Sequence, residues 1–419
     1  MTRFTGEQQL VAHNGDFPAP GIKRITEKVY FLTGIGSNAT LVEGEDSCLL
    51  IDAMINEQDG RAALGEVRKV TKKPIETLIY THTHPDHMSG AGILAANAKE
   101  IIARRPTVPT YGKSELINEV GTARGAKQWG FGLTPEESIN IGAGAFMPSF
   151  GQAAILRPTR LVAGERSKLN IDGIAVELIA ADGETDDQTF VWLPEERVLC
   201  SGDDYYHSFP NVSPVRGGQY RNAAAWVESL NTILRLAPDH LLPGHTEAVS
   251  GRQAIQDLIT TYRDGVQYIV EETLKGMNQG LTPEQLVERV QLPAQLKDLP
   301  QLQEYYGKVS WTIRSIFSGY LGWFDGNPTR LGFMPVKARA EKQLALAGGA
   351  ARVLTAAEKA LADEDEQWAA ELCDILLDAE KLVPQAKDLK AKALSVLARL
   401  DVNACARHYY LCCAKELEK

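Results

Sequence analysis

The chain has 419 residues, enough for two or three domains around a sizeable buried core. Hydrophobic content of 44% and charged content of 23% are those of a soluble globular protein, and a net charge of −10 argues against a nucleic-acid partner. No apolar run reaches the ~18 residues of a membrane span. No basic, then apolar, leader opens the chain, and the six scattered cysteines (Cys48, Cys200, Cys373, Cys405, Cys412, Cys413) show no disulfide framework, so a cytoplasmic protein with reduced thiols is expected.

Short apolar runs broken by Gly and Asp come first. Val29-Tyr-Phe-Leu32, Ala39-Thr-Leu-Val42 and Cys48-Leu-Leu-Ile-Asp52 read as hairpin strands, Glu57–Val70 as a helix, and Ile75-Glu-Thr-Leu-Ile-Tyr80 as a further strand. Next comes Thr81–Gly90, Thr-His-Thr-His-Pro-Asp-His-Met-Ser-Gly, with three of the eight histidines and one aspartate inside six residues. Ser89-Gly-Ala-Gly begins a helical pattern, so the cluster sits on a strand-to-helix loop. A loop fixed by a strand can aim four side chains at one point. His82 and His84, two apart, can share one ion, while Asp86 and His87 can reach a second. A solvated His-rich turn is the bland alternative, but imidazole and carboxylate at this density suit zinc and related divalent ions.

Ile101–Ala103 is again strand-like, and Ser114–Gly142 carries a helix and then the Gly-rich loop Trp129-Gly-Phe-Gly. The β pattern returns over Leu161–Cys200, in Gly173–Ala180, Thr189–Leu193 and Arg197–Cys200. A helix over Ala223–Leu236 and a strand at His240–Leu242 complete a two-sheet, helix-covered α/β layout. After about Gly251 long amphipathic helices dominate, with a Pro-rich break at Leu292–Leu302 and a loop at Phe324–Pro335. Ala338–Lys419 reads as four or five helices in hairpins, with the small/large alternation of tetratricopeptide-like arrays, which suggests an interaction or dimerisation module. The predicted division is therefore 1–250, catalytic, and 251–419, all-α.

His-x-His-x-Asp-His after a strand resembles the metal-binding motif of the metallo-β-lactamase superfamily, an αβ/βα sandwich with a dinuclear metal site. That resemblance implies further ligands. No histidine lies between His87 and His207, and where many members read Gly-His-Thr this chain has Gly183-Glu184-Thr185. Glu184 therefore takes the histidine's place on the first metal, with Asp182 and Asp186 as the alternatives; a carboxylate ligates zinc at about 2.0–2.2 Å. Val198-Leu-Cys-Ser-Gly-Asp203 resembles the strand whose terminal carboxylate bridges both metals, Asp203 being preferred to Asp204 because it directly follows Gly202. Leu242-Pro-Gly-His245 supplies the last ligand on a tight turn. The implied sets are His82, His84 and Glu184, then Asp86, His87 and His245, bridged by Asp203. Asp86 and Asp203 are also the expected catalytic carboxylates. Two zinc ions per subunit are implied, although such ligands accept manganese and iron as well, and such ions bring the pKa of a bound water to about 7. His240 reads as structural, His13 and His408 as surface or core, and Cys412-Cys413 as packing.

After Asp203 the chain reads Tyr205-Tyr-His-Ser-Phe-Pro-Asn211-Val-Ser-Pro-Val-Arg216-Gly-Gly-Gln-Tyr-Arg221. Arginine's planar fork binds tetrahedral oxyanions through paired hydrogen bonds. A lone Arg is more often a surface ion pair, but Asn211, Arg216 and Arg221 recur at five-residue intervals beside the bridging carboxylate. Asn-x4-Arg-Gly-x3-Arg is similar to the sulfate-binding segment of the alkyl sulfatases, a branch whose first metal also takes a Glu. Glu304-Tyr-Tyr-Gly-Lys-Val-Ser-Trp-Thr-Ile-Arg314 and Tyr320-Leu-Gly-Trp-Phe-Asp-Gly-Asn-Pro328 are similar to the alkyl sulfatase dimerisation domain. The resemblance implies a homodimer, two zinc ions and hydrolysis of organic sulfate esters to alcohol and sulfate. Three positions depart from it. Asp203 stands where the best-known members have Glu, Trp129 where a Tyr lines the sulfate pocket, and the chain stops at Lys419 without a sterol-carrier-like domain. Trp129, Phe131, Tyr205, Phe209 and Trp323 are the expected pocket lining. Other readings are a lactone, β-lactam or phosphodiester hydrolase of the same fold and, outside enzymes, a helical-array scaffold.

Overall fold

Most strands are apolar at successive positions rather than alternate ones, because each sheet is covered on both faces. The computed structural model describes residues 3–105 and 118–419. Its first sheet holds, side by side in chain order, β1 (Gly21–Arg24), β2 (Val29–Thr33), β3 (Asn38–Glu43), β4 (Cys48–Ile51), β5 (Ile75–Ile79), β6 (Glu100–Arg104) and β7 (Arg160–Val162). β1 to β4 form an antiparallel meander, and β4 to β7 run parallel. The second sheet has the order β13-β12-β11-β10-β9-β8, from β8 (Arg166–Ile171), β9 (Ile174–Ala180), β10 (Thr189–Leu193), β11 (Val198–Gly202), β12 (His240–Pro243) and β13 (Val249–Ser250). Only β11 and β12 are parallel in it.

The helices are α1 (Thr5–His13), α2 (Glu57–Val70), α3 (Pro85–Met88), α4 (Ala91–Leu94), α5 (Asn118–Trp129), α6 (Pro135–Ser138), α7 (Ala223–Leu236) and α8 (Arg252–Asn278). They continue with α9 (Pro283–Arg289), α10 (Val309–Leu321), α11 (Val336–Leu346), α12 (Ala350–Ala362), α13 (Glu366–Asp378), α14 (Val383–Leu400) and α15 (Ala404–Leu417). The helices expected at Glu57–Val70 and Ala223–Leu236 are found with those bounds. Residues 114–117, the start of the helix expected from Ser114, lie outside the described residues.

Strand alternation divides the core into layers. Val29 and Phe31 of β2 face the second sheet and meet Val191, Val198 and Leu242, whereas Leu32 points outward to the layer of Ala63 and Val67 from α2. On the outer face of the second sheet Phe190, Trp192 and Leu199 pack with Trp226 and Leu230 of α7, Ile255, Ile259 and Tyr262 of α8, and Ile313 of α10. Each such side chain contributes about 1.5–3 kcal/mol on burial. The core thus crosses residue 251 without interruption, and α8 to α10 belong to the outer helical layer of the sandwich. Helices α11 to α15 follow as hairpins with apolar seams of their own, such as Leu344, Leu372, Leu376 and Leu389. Among the described residues no helix is long and apolar enough to cross a membrane.

Helix α1 has no counterpart among the elements expected from the polar opening sequence. Tertiary contacts hold it: Leu10 is fully buried, Gly6 lies against the Leu400 carbonyl, and Glu7 pairs with Arg399 and Arg407, each at 3.1 Å. At its end His13 is 2% exposed and stacks on Tyr305 at 3.8 Å. Burial, with the neighbouring His207, pushes its imidazole down to about 3. The folded chain therefore carries His13 neutral while the unfolded chain protonates it below about pH 6.5. The unfolded state binds the extra proton, so stability falls as pH drops through that range, by about 2 kcal/mol at pH 5. His13→Phe removes this term. Urea titrations at pH 7.5 and 5.0 are expected to show the variant losing about 2 kcal/mol less than the parent.

Candidate metal centre

The centre lies where the two sheets meet, at the carboxyl ends of β5, β11 and β12. After β5, Pro85 starts the single turn of α3, with His84 as its N-cap, so His82, His84, Asp86 and His87 leave the strand in a tight arc. Asp203 follows β11, and His245 follows β12 on the Pro-Gly turn. A Cβ on Gly244 would lie 2.3 Å from Asp203 Oδ1 and 2.6 Å from the His87 ring, so only glycine fits there.

The donor atoms of Asp86, His87, Asp203 and His245 lie within 4.8 Å of one another, as do those of His82, His84 and Asp203. Asp203 Oδ1 is 3.3 Å from His87 Nε2; its Oδ2 is 3.2 Å from His245 Nε2 and 3.7 Å from His82 Nε2. Asp86 Oδ2 is 3.4 Å from His245 Nε2 and 3.6 Å from His87 Nε2. His82 Nε2 and His84 Nδ1 are 3.0 Å apart. A tetrahedral ion with bonds of about 2.1 Å holds its ligand atoms about 3.4 Å apart, so these spacings suit divalent-metal coordination, and Asp203 belongs to both groups. His87 Nε2 and Asp203 Oδ1 are buried without a hydrogen-bond partner, as atoms kept for a metal would be.

Glu184 sits at the edge of the first set. Its Oε1 is 3.5 Å from His84 Nδ1, and its Oε2 is 2.6 Å from Arg221 Nη1. Burial lifts its carboxyl to about 7 against the pull of Arg221. Asp182 turns away to Arg104 at 2.6 Å, and Arg104 also donates to the Asp186 and Gln188 carbonyls, which pins the Glu184 loop. Burial also opposes ionisation of Asp203, but His245 and His87 hold it well below the carboxylate range. Its neighbour Asp204 points elsewhere, accepting the Glu184 N–H at 3.2 Å, and burial pushes it well up.

Asp52, treated in the sequence only as a strand end, proves central. It has φ +59° and accepts from Thr81 N–H and Thr81 Oγ1, each at 2.8 Å, while its Oδ2 lies 3.1 Å from His87 Nδ1. This partner fixes which His87 nitrogen faces the cluster. An acidic residue closing the strand next to the histidine-bearing one was the signal available.

A cavity of about 420 Å³ opens beside the first set, lined by His84, Glu184, Arg216, Tyr220 and Arg221. Arg221 is buried and also donates to the Asn211 carbonyl at 2.8 Å. Asn211 is buried with both side-chain amide atoms unpartnered. Trp129 is half-buried, 5.9 Å from the Tyr306 ring, and Phe131 packs edge-on against Phe150. Tyr205, expected at the cavity, is instead in the core: its ring packs on Tyr262, and its hydroxyl meets His207 Nδ1 at 3.1 Å. Successive residues after the turn face opposite sides, so Tyr206 is the one that looks toward His245. Phe209 is likewise core, and Trp323 is 70% exposed on the surface. Tyr306, which the sequence offered only as part of the Glu304–Arg314 motif, reaches the centre from the helical half. Its ring meets Tyr206, and burial with the Glu184 charge nearby holds its phenol well above its usual range.

Residues 32–245 match the metallo-beta-lactamase superfamily, and residues 282–419 match the family described as alkyl sulfatase dimerisation. A linear primary-alkylsulfatase of Pseudomonas sp. (strain ATCC 19151) is 33% identical over 393 residues, covering 90% of this chain and 73% of that protein. An alkyl/aryl-sulfatase of Saccharomyces cerevisiae is 28% identical over 413 residues, covering 95% of this chain and 64% of its own length. The solved structure of a stereoselective inverting sec-alkylsulfatase from Pseudomonas sp. superposes with a TM-score of 0.88 at 26% identity, over 98% of this chain and 67% of that one.

The Asp52 geometry yields a test. Asp52→Asn is expected to weaken divalent-metal affinity about 10–100-fold while leaving the far-ultraviolet circular dichroism unchanged. Competition with a chromogenic chelator measures it, and unaltered affinity would remove Asp52 from the centre.

Proposed function

Since the chain belongs to the metallo-beta-lactamase superfamily, in its alkyl sulfatase branch, we propose that it hydrolyses organic sulfate esters to an alcohol and inorganic sulfate, using two zinc ions. The observation that carries this reading is the presence of Arg216 and Arg221 in the same cavity as His84 and Glu184. An oxyanion site and a metal site share one space. The ions would be held by His82, His84 and Glu184 and by Asp86, His87 and His245, with Asp203 between them. Bound there, they supply activation of water near neutral pH and polarisation of an ester oxygen.

The protein's own groups have distinct tasks in this reading. Arg216 holds the sulfate through its fork, and Asn211 offers a buried amide that has no other partner. Arg221 orients Glu184 and the Asn211 carbonyl while adding positive charge. Burial alone would lift Asp86, but His87 and His245 keep it ionised, so Asp86, with Asp203, accepts a hydrogen bond from the attacking water and orients it. Tyr306, kept protonated, offers its phenol O–H as a hydrogen-bond donor toward the bound ester. Trp129, beside Tyr306, lies where the organic part begins.

We further assign 1–250 to the metal ligands and 251–419, beyond the α8–α10 cover and the Tyr306 that it lends the centre, to a homodimer interface. Tyr320, Leu321, Trp323, Leu331 and Phe333 are all more than half exposed, which supports an apolar face awaiting a second copy. A cytoplasmic setting is our reading of six unpaired thiols, four of them buried.

Zinc-reconstituted protein is expected to release sulfate from alkyl sulfates, and a chelator to stop it. Arg216→Ala should lower kcat/KM about 10²-fold or more, measured beside a lactone and a phosphodiester. Turnover of the latter two without sulfate release would replace the substrate while keeping the fold. Tyr306→Phe should lower kcat about 10²-fold with metal content unchanged. The structural relative is an inverting enzyme, and inversion at carbon requires attack on carbon. If this chain shares that course, reaction in H₂¹⁸O is expected to label the alcohol; label in the sulfate would mean S–O cleavage.

A further inference from the structure

Arg216 is followed by Gly217 and Gly218, so local chain stiffness does nothing to hold it. The fold holds it from outside. The Val215–Arg216 peptide is gripped on both edges by α5: Arg124 Nη2 donates to the Val215 carbonyl at 2.6 Å, and the Arg216 N–H donates to Gln128 Oε1 at 3.0 Å. Arg124 and Gln128 are one helical turn apart and share a face.

Gln128 is fully buried, and its Nε2 has no partner. A flipped amide would turn this nitrogen onto the Arg216 N–H, so the orientation is set by the peptide it accepts from. A buried donor left unpaired is a cost that Leu or Met at this position would avoid. What Gln128 supplies is the acceptor for Arg216.

The main chain of Gln128 is keyed in turn to the last helix. His408 of α15 is fully buried, with Nδ1 2.8 Å from the Gln128 carbonyl and Nε2 2.9 Å from Ser138 Oγ. Gly130, at φ +72°, passes under its ring, where a Cβ would lie 2.9 Å from His408 Cγ. The helical half therefore sets α5, and α5 sets Arg216.

We propose that Gln128, assisted by Arg124, is a positioning residue that locks the Val215–Arg216 peptide and so presents the Arg216 guanidinium to the oxyanion in one orientation. This rests on the reading of Arg216 as a sulfate-holding group. The test is calorimetric affinity for inorganic sulfate on zinc-reconstituted full-length protein, with KM and kcat for a primary alkyl sulfate, in the parent, Arg216→Ala, Gln128→Met and Arg124→Met. Gln128→Met is expected to weaken sulfate binding and raise KM about 5–10-fold with kcat within about twofold, and to add nothing in an Arg216→Ala background. Arg124→Met, at an exposed side chain, should raise KM about 2–3-fold and carries the test alone if the buried variant does not fold. Parent affinity in Gln128→Met and Arg124→Met, with Arg216→Ala weakened, would overturn the lock alone, as would full additivity of the double variant. Parent affinity in Arg216→Ala would overturn the sulfate reading and the lock with it.

Discussion

Asp203 is the point against which the centre is built. One carboxylate oxygen faces His87 and the other faces His245 and His82, all within 3.7 Å and all away from water. A buried carboxylate is tolerated only with compensating positive charge. Three imidazoles converge on it, and with Asp86 and Glu184 nearby the donor set demands positive charge of a kind that a divalent ion suits. That demand explains why three strand ends, otherwise remote in sequence, terminate at one place. It also explains Gly244, since any side chain there would occupy the space between Asp203 and His87.

Around this cluster a second layer removes freedom from each donor. Asp52 settles His87, Thr81 Oγ1 lies 3.1 Å from His82 Nδ1, and Arg104 ties down the loop that carries Glu184. Asn38 donates to the Pro243 and Thr246 carbonyls on either side of His245. These partners come from the first sheet, while Asp203 and His245 come from the second. The tight inter-sheet core of Phe31, Val191 and Leu242 therefore fixes the metal geometry as well as the fold.

The helical half is part of the same construction. Tyr306 packs edge-on against Tyr206, His408 supports α5, and Asn403 donates to the Tyr306 and Gly307 carbonyls. Removing α11 to α15 would strip the centre of the groups that hold Tyr306 and α5, so metal chemistry and the helical array are coupled through packing.

The sequence by itself determined the candidate metal donors and, from β2 onward, most of the order of elements. His82, His84, Asp86 and His87 are neighbours in the chain, so their chemistry is legible without a fold, and Asp203 and His245 each follow an apolar run with a small residue at the turn. Helices such as Glu57–Val70 were legible because their amphipathic period and N-cap are local. Only the tertiary structure decided which side of a strand or turn each remaining residue faces. Tyr205 fell into the core and Tyr206 toward His245 because a one-residue step reverses direction, and sequence does not fix that phase after an irregular turn. Gln128, Tyr306 and helix α1 were invisible as contributors because each acts through a partner more than thirty residues away. Such pairings are created by packing, and no local propensity encodes them.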